Sequence, residues 1–180
     1  MAAADASEDF VLPHFERSTR VLFVVAPFYT EIAEHLLAGA RAAVEASGAS
    51  GEAIYVPGAL EIPPAIALAA TSGNFAGYVA LGCVIRGETS HYETVCNDSS
   101  RGLMLLGLRG LCIGNGILTV EDRDQALVRA RPDGKNKGGG AAEACLHLMV
   151  IKGRFAPASS QEPDAKLYLA GEQGPNGSFV

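Results

Sequence analysis

Apolar and polar positions alternate along this chain in two rhythms. Four short runs are apolar with few interruptions: residues 21–26 (VLFVVA), 52–57 (EAIYVP), 77–85 (GYVALGCVI) and 111–119 (LCIGNGILT). The first and third are almost unbroken, as strands are when helices cover both faces of a parallel sheet. Between them the spacing becomes helical. Residues 30–46 set Ile32, Leu36, Leu37, Ala40 and Val44 on one stripe, with Glu31, Glu34, Arg41 and Glu45 elsewhere, and SGASG ends the pattern. Pro63 and Pro64 can open a second helix, which AIALAA carries to the break at Ser72 and Gly73. Residues 91–108, 121–130 and 138–153 complete the set of helices. Strands alternating with helices of this length predict an α/β domain with a parallel sheet and right-handed crossovers.

The ends of the chain stand outside this alternation. FVLPHF, residues 10–15, reads as an extra strand given to a neighbouring chain, so residues 1–19 form an arm and 20–155 the domain. Residues 156–180 are rich in Pro, Gly, Ser and Gln and read as a loosely ordered tail, with KLYLA as a weak candidate strand.

Composition narrows the function classes. The length of 180 residues suits one domain, and 48% hydrophobic with 19% charged residues is ample for a packed core. A net charge of −6 with no long basic run argues against a nucleic-acid or membrane-surface partner. Cys83, Cys96, Cys112 and Cys145 form no C-x-x-C pair, which favours structural thiols in a reducing compartment over disulfides or a metal site. The alanine-rich, acidic start lacks the cationic-then-apolar order of a secretory signal, and no run approaches the ~20 apolar residues of a membrane span. The expectation is a cytoplasmic protein.

Open parallel sheets bind ligands beyond the carboxyl ends of their strands. Those ends here are residues 27–29, 57–61, 84–91 and 115–119, and nearly every chemically suggestive residue falls in them. In VIRGETSHYETV, residues 84–95, Ser90 and Glu93 have the spacing of a capping box, which helix stability alone explains. Gly87 and Thr89 suit a phosphate instead: glycine admits close backbone approach, the hydroxyl donates, and a helix start offers N–H groups. Glu88 would repel that phosphate, so its side chain must point away and only its backbone N–H contribute. His91, in the first helical turn, can take a proton and return it. The alternative is a surface histidine without a task, and the glycine and hydroxyls around it weigh against that.

Three more segments carry candidates. Glu61 either favours the start of a proline-opened helix or accepts hydrogen bonds from ligand hydroxyls. Phe28 and Tyr29 either stack on a planar ring or cover the sheet; for an isolated pair the core reading is the stronger. VRARPDGKNKGGG lacks the P-loop spacing. Within it Lys135 reads as solvated surface, and Arg129 is the better phosphate group because its fork can bind two oxygens.

Taken in order, VPGALEIP, GCVIRGETSHYETVCNDSSRGL, GNGILTVEDRDQALVRA and KNKGG resemble the 6,7-dimethyl-8-ribityllumazine synthase family of riboflavin biosynthesis, over residues 20–155. The resemblance implies a flavodoxin-like three-layer α/β/α sandwich with a four-stranded parallel sheet. It also implies a homopentamer, or a multiple of pentamers, acting on small-molecule substrates without metal or organic cofactor and associating with riboflavin synthase. By the same resemblance, 5-amino-6-(D-ribitylamino)uracil would be held by Phe28, Ala59, Leu60, Glu61, Cys83, Val84, Ile85, Asn115 and Lys137. Glu88, Thr89 and Arg129 would hold 3,4-dihydroxy-2-butanone 4-phosphate, and His91 would move protons. Asn115, Arg129 and Lys137 would face His91 from the adjacent subunit. The chain departs from the family pattern at Pro27 and Tyr29, at Glu88 and Asn115, and in the RPDG connector, residues 131–134. A non-catalytic flavin- or lumazine-binding protein would need Phe28 and Glu61 but not Thr89, His91 and Arg129 together. A shell protein would carry all of them as relics. Their joint presence favours an enzyme.

Overall fold

The computed structural model describes residues 11–16 and 18–156. Strands β1 (Arg20–Val25), β2 (Ser50–Tyr55), β3 (Gly77–Ile85) and β4 (Ile113–Val120) form one all-parallel sheet in the order β2-β1-β3-β4. Helices α1 (Thr30–Ala46), α2 (Ile62–Ala70), α3 (His91–Leu108), α4 (Arg123–Ala130) and α5 (Lys137–Arg154) cover it. This is the expected flavodoxin-like three-layer sandwich.

Two cores, one on each face, explain why β1 after Arg20, and β3, are almost wholly apolar. Along β1, Val21, Phe23 and Val25 enter one core with α1 and α5, while Leu22 and Val24 enter the other with Ile62, Ile66 and Leu103 from α2 and α3. On β3, Val79, Leu81 and Cys83 face the first core and Tyr78 and Ala80 the second. The step from β1 to β2 runs opposite to the steps from β2 to β3 and from β3 to β4. Crossovers of one hand therefore put α1 on one face and α2 and α3 on the other.

The boundaries follow hydrophobicity closely for β3, α1 and α3, and depart from it at β2 and β4. β2 begins two residues before its apolar run, at Ser50 and Gly51. It is an edge strand whose first residues are exposed, held by Ser50 N–H to Thr19 O (2.8 Å) and by the Arg20–Glu52 ion pair (2.6 Å). β4 starts after Leu111 and Cys112, which follow the positive-φ turn at Gly110. α4 begins at Arg123, because Asp122 takes the N-cap and accepts from Gln125 N–H (2.8 Å). A 3-10 turn at Ala59–Glu61, invisible in the apolar pattern, leads into α2.

Residues 11–16 form no strand within the protomer; Leu12 packs on the first core and Phe15 is buried in it, its N–H donating to Ser47 O (2.8 Å). Phe10, the rest of the arm before it and the KLYLA stretch of the tail lie outside the described residues. All four cysteines are free, with Cys83, Cys112 and Cys145 buried, as structural thiols should be.

The triple glycine after Lys137 serves packing between helices. A Cβ on Gly138 would lie 2.0 Å from the Leu36 carbonyl oxygen of α1, whereas one on Gly140 would meet nothing within 4 Å. Gly138→Ala should therefore destabilise the protein by about 1–3 kcal/mol through overpacking. Gly140→Ala should raise stability by about 0.5–1 kcal/mol through helix propensity. Urea midpoints of the two variants, measured at equal chain concentration, should move in opposite directions.

Candidate functional site

β1 pairs with β3 only as far as Val25 opposite Leu81, whereas β3 continues beside β4 to Ile85 opposite Val120. Beyond Leu81 the β1 side of β3 thus has no strand partner. Directly there, α1 leaves β1 toward one face and α3 leaves β3 toward the other. The result is a cleft of about 380 Å³ at the switch point of the sheet.

Each wall comes from a different strand end. Phe28, from the turn after β1, is 74% exposed and lies edge-to-face on Tyr29 with ring centroids 5.1 Å apart. Tyr29 lines the cleft as well and packs partly on the first core. The core reading of this pair holds for Tyr29 and is overturned for Phe28, whose ring is held at the cleft edge with a face free to stack.

Ala59, Leu60 and Glu61 line the cleft from the 3-10 turn. Glu61 occupies the N-cap position of α2 but makes no side-chain capping bond, so its carboxylate is not spent on the helix. Gly58 leaves room for it, since a Cβ there would lie 3.0 Å from Glu61 Oε2. Cys83, Val84 and Ile85 form the wall from the overhanging end of β3. Burial pushes the Cys83 thiol up to about 11, so at neutral pH this wall is an uncharged thiol and its main polar offering is backbone.

The third wall is the turn into α3, with Gly87, Thr89, His91, Tyr92 and Val95. Here the capping-box reading fails. Ser90 stands at the N-cap position in a helical conformation and makes no side-chain cap bond. The Glu93 carboxylate pairs with Arg86 instead, because Arg86 at the end of β3 is within reach across the turn. Thr89 Oγ1 accepts from His91 N–H at 3.4 Å. Glu93 N–H donates to Ser90 O (3.1 Å), and the positive end of the helix with the Thr89 hydroxyl makes this corner one that can receive an anion.

The chain brings nine expected residues to one cleft: Phe28, Ala59, Leu60, Glu61, Cys83, Val84, Ile85, Thr89 and His91. Four others lie outside its lining. Glu88 is exposed in the turn. Asn115 is exposed on β4, where its Oδ1 accepts from Ile117 N–H (3.0 Å). The Arg129 guanidinium donates back to Gln125 O (3.0 Å) on α4, and Lys137 is exposed at the start of α5. Tyr92 and Val95, which the sequence reading passed over, also line the cleft; Val95 follows His91 by four residues and Tyr92 by three, the spacings of neighbours on a helix surface. Among the described residues, no group of three or more His, Cys, Asp or Glu is gathered as a metal would need.

An α/β sandwich with an apolar-walled cleft at its switch point, rimmed by a carboxylate, a hydroxyl and an imidazole, is a binding site for small molecules. A family model described as 6,7-dimethyl-8-ribityllumazine synthase matches residues 18–152. Proteins of that name are similar to this chain along most of their length. The one from Jannaschia sp. (strain CCS1) is 54% identical over 149 residues, 83% of this chain and 84% of the relative. The one from Sphingopyxis alaskensis is 58% identical over 135 residues, covering 75% and 96%. The one from Methylorubrum populi is 59% identical over 140 residues, covering 74% and 83%. The chain belongs to the 6,7-dimethyl-8-ribityllumazine synthase family.

The buried thiol gives a direct check on the cleft wall. At pH 8, Cys83 should react with iodoacetamide about 10²-fold more slowly than a free cysteine, because so little of it is thiolate. Mass spectrometry of the peptide reads this out; a rate equal to that of glutathione would mean that the wall opens.

Proposed function

We propose that the chain condenses 5-amino-6-(D-ribitylamino)uracil with 3,4-dihydroxy-2-butanone 4-phosphate to 6,7-dimethyl-8-ribityllumazine, releasing phosphate and water. The observation that carries this reading is the meeting, in the cleft of a family member, of an exposed aromatic ring, an uncapped carboxylate and a helix start bearing Thr89 and His91. Phe28 stacks on the pyrimidine. Backbone groups of Ala59, Leu60, Cys83, Val84 and Ile85 meet its heteroatom edges, and Glu61 accepts from ribityl hydroxyls. The Thr89 hydroxyl and the Glu88 backbone N–H receive the phosphate. The amine of one substrate attacks the ketone of the other, water leaves to give an imine, phosphate is eliminated, and ring closure expels a second water. Much of the acceleration is orientation of two bound reactants. His91 assists the proton transfers.

Asn115, Arg129 and Lys137 complete the site from an adjacent subunit of a homopentamer or multiple of pentamers. Two observations support this. All three lie away from the cleft of their own chain. The surface also carries exposed apolar side chains that a lone protomer would leave in water, among them Met104 and Leu108 of α3, Ile151 of α5 and Phe155. No helix among the described residues is long and apolar enough to cross a membrane. A cytoplasmic location and association with riboflavin synthase, which consumes the product, belong to the same proposal.

The decisive assay mixes purified protein with both substrates and follows lumazine absorbance against the uncatalysed rate. Ligand binding without acceleration would favour a lumazine-binding protein instead. His91→Ala should lower kcat by about 10–10²-fold, the low end of what acid–base help supplies, without abolishing turnover. Arg129→Ala should raise KM for the butanone phosphate about 10- to 100-fold, the worth of a charge-assisted bond. If the site is shared, co-assembling the two variants one to one in a ring restores the wild-type pair at about a quarter of the sites. The mixture should then show a low-KM component with a kcat of about a quarter of the wild-type value; a low-KM component no larger than half the His91→Ala activity, as simple averaging gives, would refute a shared site.

A further inference from the structure

The turn that carries Thr89 and His91 has little to hold it from within. Residues 86–91 are all exposed, and a Cβ added at Gly87 would meet nothing within 4 Å. Within the turn itself, the bond from His91 N–H to the Thr89 hydroxyl is long at 3.4 Å. Ser90 O accepts from Glu93 N–H (3.1 Å) where the turn enters α3, and the side-chain restraint comes from Arg86 at its base.

Arg86 continues the β3–β4 ladder, its backbone N–H donating to Val120 O (2.9 Å). From this fixed base its guanidinium makes three contacts. Nη1 donates to Glu93 on the first turn of α3, Nε donates to Glu121 Oε2 (2.7 Å) after β4, and the group lies 4.1 Å from the centre of the Tyr92 ring. Tyr92 is itself a cleft wall beside His91. Arg86 is not part of the cleft lining. It is a clasp: it pins the start of α3 to the sheet from behind while the front of the turn faces the cleft. The hydrogen bond from Arg86 holds the Glu93 carboxyl below its ordinary value, so the pair is intact at neutral pH and opens only as pH falls through that lowered value.

We propose that Arg86 is a positioning residue for the phosphorylated substrate. It holds the turn so that the Thr89 hydroxyl and the first-turn N–H groups are already arranged to receive a phosphate, without touching that phosphate itself. The proposal rests on the function proposed above and adds to it a residue the sequence reading did not single out. With the clasp broken, the turn occupies the receiving arrangement only part of the time, and apparent affinity falls by that fraction. Chemistry at saturation is unchanged, because substrate binding restores the arrangement.

The test compares the wild-type assembly with Arg86→Gln, Arg86→Lys, Glu93→Gln and Glu121→Gln, measuring steady-state kinetics and, separately, the Kd of inorganic phosphate by titration. Arg86→Gln should raise KM for the butanone phosphate and Kd for phosphate about tenfold. Its kcat should stay within about twofold and its KM for the uracil substrate should not move. Arg86→Lys keeps the charge but loses the fork, and should recover part of the loss. Glu93→Gln and Glu121→Gln loosen the clasp while leaving Arg86 charged, so both constants should rise again, by about threefold. A fall in these constants would instead show Arg86 attracting phosphate by its charge and would overturn the proposal. A loss of kcat with both KM values and the phosphate Kd unmoved would reduce it to a fold-stabilising role and overturn it equally. If Arg86→Gln does not fold, the two glutamate variants decide the matter. Absence of turnover in the wild type would refute the proposed reaction alone, and the phosphate Kd would still test the clasp.

Discussion

β1 and β3 lie side by side, yet the chain leaves their ends toward opposite faces of the sheet. That divergence cannot be filled by packing, because each following segment is drawn to its own core. The gap is widened by the register: β3 runs four residues past the last one that β1 can pair with. Phe28 therefore sits on one lip, the turn with Thr89 and His91 on the other, and the end of β3 that β1 leaves unpaired lies between. A flat ring and an anion are bound by different means, one by an apolar face and the other by N–H groups. The two lips supply those means separately.

Close contact on the opposite face explains why the middle can stay open. α5 lies so near α1 and β4 that backbone touches backbone: a Cβ at Gly114 would fall 1.8 Å from the Ala141 carbonyl oxygen, and one at Gly138 would strike α1. Asn136 turns the chain into α5 with φ 42°, a conformation asparagine tolerates, and accepts from Gly139 N–H (3.2 Å). The glycine-rich stretch that could have passed for a phosphate loop is thus a helix-packing device. It also fixes where Lys137 leaves the body of the domain.

How much of this was legible depends on what each residue answers to. The doubly covered strands, β1 and β3, and the long helices α1 and α3 obey the hydrophobic pattern, since burial on one or both faces is what that pattern records. β2 does not, because an edge strand is held by backbone bonds and an ion pair rather than by apolar side chains. The site was visible as residue types at strand ends, and the motif resemblance named those residues individually. Their partners were not visible. Ser90 and Glu93 have capping-box spacing, but Arg86, seven residues before Glu93 and on a different element, competes for the carboxylate and takes it. Glu61 shows the converse: its place at the start of α2 left helix stabilisation and ligand binding equally open, and the geometry shows a carboxylate with no capping bond, lining the cleft. Long-range ion pairs have no period, and no local pattern announces them.

Charge finally bears on the proposal that the site is shared. Around the turn, Arg86 supplies one positive charge, while Glu88, Glu93 and Glu121 supply three negative ones, a local balance of −2 (1 − 3) on a chain whose net charge is −6. Arg86 cannot serve as the counter-ion of a phosphate, since both of its carboxylate partners are already in contact with it. Helix N–H groups orient an anion but carry only partial charge, about half of one unit at the terminus. A phosphorylated substrate arriving at a lone protomer would thus meet well-placed donors in an unfavourable field. A cation must come from elsewhere. Arg129, bonded in its own chain only to a backbone carbonyl, keeps most of its fork unspent. On this argument assembly makes an anion site out of a surface that would otherwise repel its substrate, and an isolated subunit should be a poor phosphate binder even with every residue of its own cleft in place.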